Sequence, residues 1–246
     1  MTTINQKKDR ETLSRIFFSK VPKARRRDPF FQSIFEFMYS ARVRAGNGEV
    51  LNIYMSGDMS GEREEVYRTY FFDQCELTGI DFQEDTFVYE EKRQEPRHTL
   101  PFKDNTFDVV VTTKYILEHV TEPSDVLAEL YRVVKPGGEV FLVAAHVRRQ
   151  HQRPYDFFRF TEDSLIYLAK KVGFSSWEVK PTDGAFYTLS MYSYFIERSL
   201  PMPKFLVKIF DFVFQHITTP FFFFLHRHDN GYGRDLSSYF TLRAKK

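Results

Sequence analysis

Within ten residues, HQRPYDFFRF (151–160), the chain gathers His151, Tyr155, Asp156 and Arg159. An imidazole or a carboxylate can take the proton of a hydroxyl, and a guanidinium presents a fork of N–H donors to oxygen-rich ligands. Such a mixture just beyond a strand suits a sugar or phosphate acceptor. His151 and Asp156 are therefore candidates for proton transfer, and Tyr155 and Arg159 for holding the acceptor. His119, in LEHV (117–120), is a third candidate proton acceptor, although a backbone hydrogen bond at a helix start explains it more simply. Phe157, Phe158 and Phe160 read as anchors to the core. HRHD (226–229) has metal-capable groups but no spaced third ligand, so it reads as a solvated loop and no metal site is expected.

A second group of residues has the types and spacing to hold a nucleotide. EVLNIYMSGDMSG (49–61) pairs a strand pattern with a loop in which Ser56, Gly57 and Asp58 can form a tight turn offering backbone N–H donors. Asp81 closes TGID, 24 residues after Gly57, and a carboxylate there can accept both hydroxyls of an adenosine ribose. A simple cap on the next turn explains Asp81 equally well.

Positioning these groups requires alternating strands and helices, the pattern of a mostly parallel sheet. Asp28 and Pro29 supply a cap and a first-turn proline for a helix carrying Phe31, Ile34, Phe35 and Met38 on one side. EVLNIY is the first strand, a helix spans about 62–72, and CELTGID is the second strand. FDVVVTT (107–113) is an apolar run of the kind covered on both faces. A helix from Pro123 ends at KPGG (135–138), and EVFLVAA (139–145) follows as a buried strand. Thr161 caps a helix that Gly173 ends; SSWEVKP and LSSYFTLRAK are the last strands.

Between those two strands, 186–230 is rich in aromatic residues but interrupted by Lys204, Lys208, Asp211 and Pro220, so it contains no membrane span. It reads as a helical insertion covering the acceptor site or a dimer face. An amphipathic element lying in a membrane interface is the alternative. Residues 1–27 end in KVPKARRR and read as a basic flexible arm preceding a domain over 28–246.

Composition narrows the classes. The 246 residues carry a net charge of +2, which excludes the strongly basic footprint of a general nucleic-acid binder. One cysteine, Cys75, excludes a disulfide framework, and the polar N-terminus does not resemble a signal peptide, so a cytoplasmic setting is expected. Twenty-eight Phe and 14 Tyr need somewhere to be buried.

The stretch HTLPFKDNTFDVVVTTKYILEHVTEPSDVLAELYRVVKPGGEVFLVAA resembles the central block of class I S-adenosylmethionine-dependent methyltransferases. RRQHQRPYDFFRFTEDSLIYLAKKVGF is similar to a segment of the type 11-like branch often associated with bacterial surface-glycan biosynthesis. The resemblance covers roughly 49–182 and the last strand. It implies a Rossmann-like α/β fold with a seven-stranded, mostly parallel sheet, an antiparallel last strand and helices on both faces. It also implies S-adenosylmethionine held by Ser56, Gly57, Asp58, Asp81 and Phe82. This chain departs from the usual VLDxGxGxG loop: Asn52 stands at the acidic position, and Tyr54, Met55 and Ser56 stand where glycine is usual. A Tyr54 ring turned inward would fill the methionine pocket.

The reading is thus a methyltransferase acting on a glycan or glycolipid-linked sugar, with peripheral membrane contact and a homodimer among its expected associations. Two alternatives are a catalytically silent methyltransferase-like scaffold and a small-molecule methyltransferase.

Overall fold

The structure, a computed structural model, describes residues 3–54, 65–81, 99–112, 115–199 and 201–246. The expectations on Ser56, Gly57, Asp58 and Phe82 fall outside these residues. Six strands form one sheet: β1 (Glu49–Tyr54), β2 (Glu76–Asp81), β3 (Phe107–Thr112), β4 (Val134–Ala145), β5 (Ser176–Pro181) and β6 (Tyr239–Lys245). Their order is β2-β1-β3-β4-β6-β5. Neighbours are parallel from β2 to β4, whereas β6 runs antiparallel to both β4 and β5. This is a mixed, Rossmann-like sheet with the expected antiparallel last strand, and six strands rather than seven lie among the described residues.

Both faces are covered, which is why the strands read as nearly unbroken apolar runs. On one face Leu51, Ile53, Val110 and Leu142 pack with Val126, Leu127 and Leu130 of α3 (Pro123–Val133) and Leu165 and Ala169 of α4 (Glu162–Val172). Thr161 caps α4 by accepting from the Ser164 N–H at 3.2 Å, and Gly173 ends it in the left-handed region at φ 107°. On the other face Val50, Val109, Val111 and Phe141 meet α1 (Thr3–Ser19), α2 (Pro29–Ala45) and a π-turn over Tyr67–Phe71.

Two local readings change. α3 ends at Val133, and the KPGG segment already belongs to β4. Its glycines serve the strand: Gly137 takes φ 78°, and a Cβ on Gly138 would lie 2.8 Å from the Asp108 carbonyl. The second change concerns the expected flexible arm over 1–27: its described part, residues 3–27, is packed. Leu13, Phe17 and Val21 recur at intervals of four and are buried between α2 and the Tyr67–Phe71 turn. Arg42 of α2, itself buried, joins Asp9 at 2.9 Å and Asp73 at 2.8 Å, tying α1 and the post-turn segment to one helix. Charge at positions 20–27 had masked the apolar positions ahead of it.

Between β5 and β6 the chain forms α5 (Ala185–Arg198), α6 (Lys204–Val213), a π-turn (Phe214–Thr218) and α7 (Thr219–Arg227). α6, the turn and α7 run on as one helical stretch with no fully buried residue. Phe205, Ile209, Phe212, Ile217, Phe221 and Phe224 are each more than half exposed. Their spacing is 4, 3, 5, 4 and 3; the interval of five falls across the π-turn, whose extra residue keeps the stripe on one side. The aromatic stripe therefore faces outward. No helix among the described residues is long and apolar enough to cross a membrane.

Phe17→Ala is expected to lower the unfolding free energy by about 3–5 kcal/mol in urea titration, the usual cost of emptying a buried Phe site. A loss below about 0.5 kcal/mol, typical of a surface position, would restore the solvated arm.

Candidate functional site

In an open parallel sheet, ligands bind beyond the carboxyl ends of the strands where the order reverses, here between β1 and β3. Asp81 ends β2 opposite Tyr54 of β1 and is 3% exposed. The Tyr54 ring turns back over the sheet face: a Cβ on Gly79 would lie 3.1 Å from its Cε1, and the Arg68 guanidinium sits 5.9 Å from its centroid. The missing side chain at Gly79 thus gives the ring a place on the sheet, away from the strand ends.

Beyond β3 and β4 two segments lock together. A 3-10 turn, Leu117–His119, follows β3, and 148–160 follows β4. The Phe157 N–H donates to the Glu118 carbonyl at 2.7 Å, the Phe160 N–H to the Ala145 carbonyl at 2.8 Å, and His119 Nδ1 meets the Tyr155 carbonyl at 2.5 Å. This is the backbone bond anticipated for His119, made to the other segment rather than to its own turn. It requires the hydrogen on Nδ1 and leaves Nε2 as the acceptor.

Asp156 and Arg159 hold the second segment in shape. Arg159 donates twice to Asp156, at 2.6 and 2.8 Å, and to the carbonyls of Arg148, Arg149 and Phe158 at 3.1, 3.0 and 2.7 Å. All five guanidinium N–H groups are thereby engaged, so Arg159 is a strut instead of an acceptor ligand. Asp156, its side chain buried, also accepts from the His151 N–H at 2.7 Å. Burial alone would raise its pKa, but the Arg159 hydrogen bonds and charge outweigh that and bring it to about 2. A group that acidic takes up no proton near neutrality, so its part is to orient. His151 Nδ1 lies 3.4 Å from Asp156 Oδ2 and 3.3 Å from the Arg149 carbonyl. Nδ1–H facing those oxygens again leaves Nε2 available.

The structure brings His119 and His151 together, ring centroids 5.0 Å apart, and adds a residue the sequence reading passed over. Glu118 is fully buried, and among the described residues no hydrogen-bond partner meets either carboxyl oxygen. Desolvation raises its pKa to about 7, against weaker pulls from its own and the Ala145 backbone and from Arg159. Burial likewise lowers the pKa of both histidines, outweighing the Tyr155 carbonyl at His119 and Asp156 at His151. One ligand atom from each of Glu118, His119 and His151 lies within 4.8 Å of the others. Glu118 was visible in LEHV as a charge in an apolar setting; only burial distinguishes it from a solvated acid.

The remaining aromatic residues divide. Phe160 is buried, whereas Phe157, Phe158 and Tyr155 are exposed at the rim. Arg148 contacts Met191 Sδ and Arg149 lies 4.6 Å from the Phe195 ring, joining the segment to α5.

Residues 60–142 match the family model described as methyltransferase domain. The chain is 37% identical over 103 residues to the ubiquinone/menaquinone biosynthesis C-methyltransferase UbiE of Desulfotalea psychrophila, a match covering 38% of this chain and 39% of that protein. Against UbiE of Burkholderia mallei it is 34% identical over 153 residues, covering 54% and 62%. The chain thus spans less than two thirds of the length of these curated relatives. Among solved structures, a SAM-dependent methyltransferase from Archaeoglobus fulgidus aligns with 88% of this chain and 94% of its own, at 12% identity and a TM-score of 0.48. The matched segment runs from residue 60 into β4 and includes Asp81, Glu118 and His119.

A carboxyl whose pKa is raised by folding binds more protons folded than unfolded, so the stability present below pH 4.5 declines as pH rises through about 7. The decline attributable to Glu118 amounts to about 3 kcal/mol. The histidines act oppositely, lowering stability as pH falls below 6.5. Burial also raises the Asp183 carboxyl, to about 6, which adds a decline of the same sign at lower pH. In urea titrations of EDTA-dialysed protein, Glu118→Gln is therefore expected to remove the part of the decline that lies between about pH 6 and 7; an unchanged slope there would show that Glu118 titrates normally.

Proposed function

We propose that this chain is an S-adenosylmethionine-dependent methyltransferase whose acceptor is a sugar of a glycan or glycolipid presented at a membrane surface. The observation that carries the reading is the coincidence of the methyltransferase-domain match with a buried carboxylate, Asp81, at the carboxyl end of β2 beside the reversal of strand order. A carboxylate in that place fits a ribose diol, and the withdrawn Tyr54 ring leaves the strand ends clear of its side chain. Bound there, the cofactor supplies an electrophilic methyl group on a sulfonium.

The chain's own part is alignment and removal of a proton. Ser56, Gly57, Asp58, Asp81 and Phe82 are assigned to the cofactor. Of the candidate proton acceptors, His151 fits best: burial keeps it neutral near pH 7, and Asp156 steadies it once protonated. His119 lies against it, while Asp156 acts through His151. Tyr155, with Phe157 and Phe158, forms an aromatic rim suited to a sugar face.

The membrane part of the reading is supported by the exposed stripe on α6 and α7, flanked by exposed Lys204, Lys208 and Arg227, the pattern of a helix lying in an anionic lipid interface. α5 connects this stripe to the site: Phe214 packs on Tyr194 at 5.2 Å and Phe223 on Tyr187 at 6.2 Å. A small-molecule acceptor is the second reading, favoured by the names of the curated relatives.

Calorimetric titration with S-adenosylmethionine is expected to show one site, weakened tenfold to about a hundredfold in Asp81→Ala, as loss of hydrogen bonds to a charged group predicts. No heat and no thermal stabilisation at millimolar cofactor would instead leave a catalytically silent binding protein. Co-sedimentation with phosphatidylglycerol vesicles is expected for the wild type. It should fall in a Phe205→Ser, Phe212→Ser, Ile217→Ser variant of unchanged melting temperature; equal sedimentation of the two proteins would remove the membrane contact.

A further inference from the structure

An unpartnered, fully buried carboxylate is costly: removing it from water without hydrogen-bond donors requires a proton or a cation close by. Among the described residues no donor comes within hydrogen-bond geometry of either Glu118 oxygen. What it has within reach is a pair of imidazoles, His119 and His151, with one ligand atom of each of the three groups inside 4.8 Å of the others. Neither imidazole is turned at random. His119 Nδ1 is tied to the Tyr155 carbonyl, and His151 Nδ1 faces the Asp156 carboxylate and the Arg149 carbonyl. Each ring therefore keeps Nε2 as its uncommitted lone pair. Oxygen acceptors behind Nδ1 are the outer-shell arrangement that orients metal-ligating histidines and raises their basicity.

We propose that Glu118, His119 and His151 bind a divalent transition-metal ion, zinc before the others, and leave at least one coordination position open to an oxygen ligand. Two imidazoles and one carboxylate suit zinc, iron or manganese, whereas magnesium and calcium prefer oxygen-only shells. Zinc takes such ligands at about 2.0–2.2 Å, which in tetrahedral geometry sets the donor atoms about 3.4 Å apart. The separations, within 4.8 Å before binding, must shorten to that value on the ion, while backbone bonds across the two segments hold the frame. The Asp156–Arg159 pair is internally neutral, so the ion's charge is met chiefly by Glu118, with Asp156 assisting through His151. An acceptor hydroxyl at the open position would lose its proton to solvent more readily, so that in the loaded protein His151 serves as a ligand and not as the proton acceptor. Binding of the ion itself does not depend on methyl transfer, because it is measured without cofactor or acceptor.

The test is calorimetric titration of EDTA-dialysed protein with zinc chloride, repeated with cobalt chloride and read by visible absorption. The wild type is expected to take up one equivalent, and cobalt to develop the intensified bands of a low-symmetry, four- or five-coordinate nitrogen–oxygen site. Glu118→Gln and His151→Gln should each weaken zinc at least about tenfold, while His216→Asn, which alters an exposed helical histidine, should not change it. Far-ultraviolet circular dichroism establishes that each variant is folded, and His151→Gln, in a partly exposed segment, keeps the test available should Glu118→Gln unfold. Absence of zinc uptake overturns the proposal. So does uptake that either folded variant leaves unchanged, since the ion would then be held elsewhere.

Discussion

The candidate site depends on one ion pair, Asp156 with Arg159. Arg159 spends all five N–H groups on Asp156 and on three backbone carbonyls, which folds the irregular chain after β4 into a fixed shape. An exposed pair of this kind contributes little, but a bidentate pair with a buried carboxylate and further backbone acceptors is a different case. The constraint places His151 against His119, and the bonds from Phe157 to Glu118 and from His119 to Tyr155 carry it across to the turn after β3. Two loops from neighbouring strands thereby act as one rigid unit.

That rigidity is what keeps Glu118 buried. A carboxyl without donors opposes folding above its pKa, and the surrounding apolar core and the cross-braced loops must offset the cost. Retaining an acid in such a place makes physical sense when the acid has something to bind or something to protonate. The neighbouring imidazoles are the groups through which either can happen.

The outer stripe on α6 and α7 obeys a separate logic. Those helices bury no residue completely and are held through α5 by ring contacts and by the Arg198–Asp211 pair at 2.9 Å. The π-turn compensates for the extra residue in the middle, so that a pattern that would drift around a regular helix stays on one side. The same α5 contacts Arg148 and Arg149, a few residues ahead of His151, which links the exposed apolar surface mechanically to the loop that forms the site.

The amino-acid order by itself determined the alternation of strands and helices, because side-chain periodicity is a local property. The Asp28 and Thr161 caps, the β-branched run of β3 and the end of α4 at Gly173 are all read from near neighbours. It also marked the chemistry-bearing histidines. Tertiary structure decided the rest. Whether Leu13, Phe17 and Val21 meet a partner, whether Arg159 is free or consumed, and whether Glu118 is wet or dry depend on groups that are remote in the chain. Burial and ion pairing are properties of the assembled neighbourhood, and solvent removal, which no short stretch of sequence encodes, turned an ordinary acid in LEHV into the centre of a site.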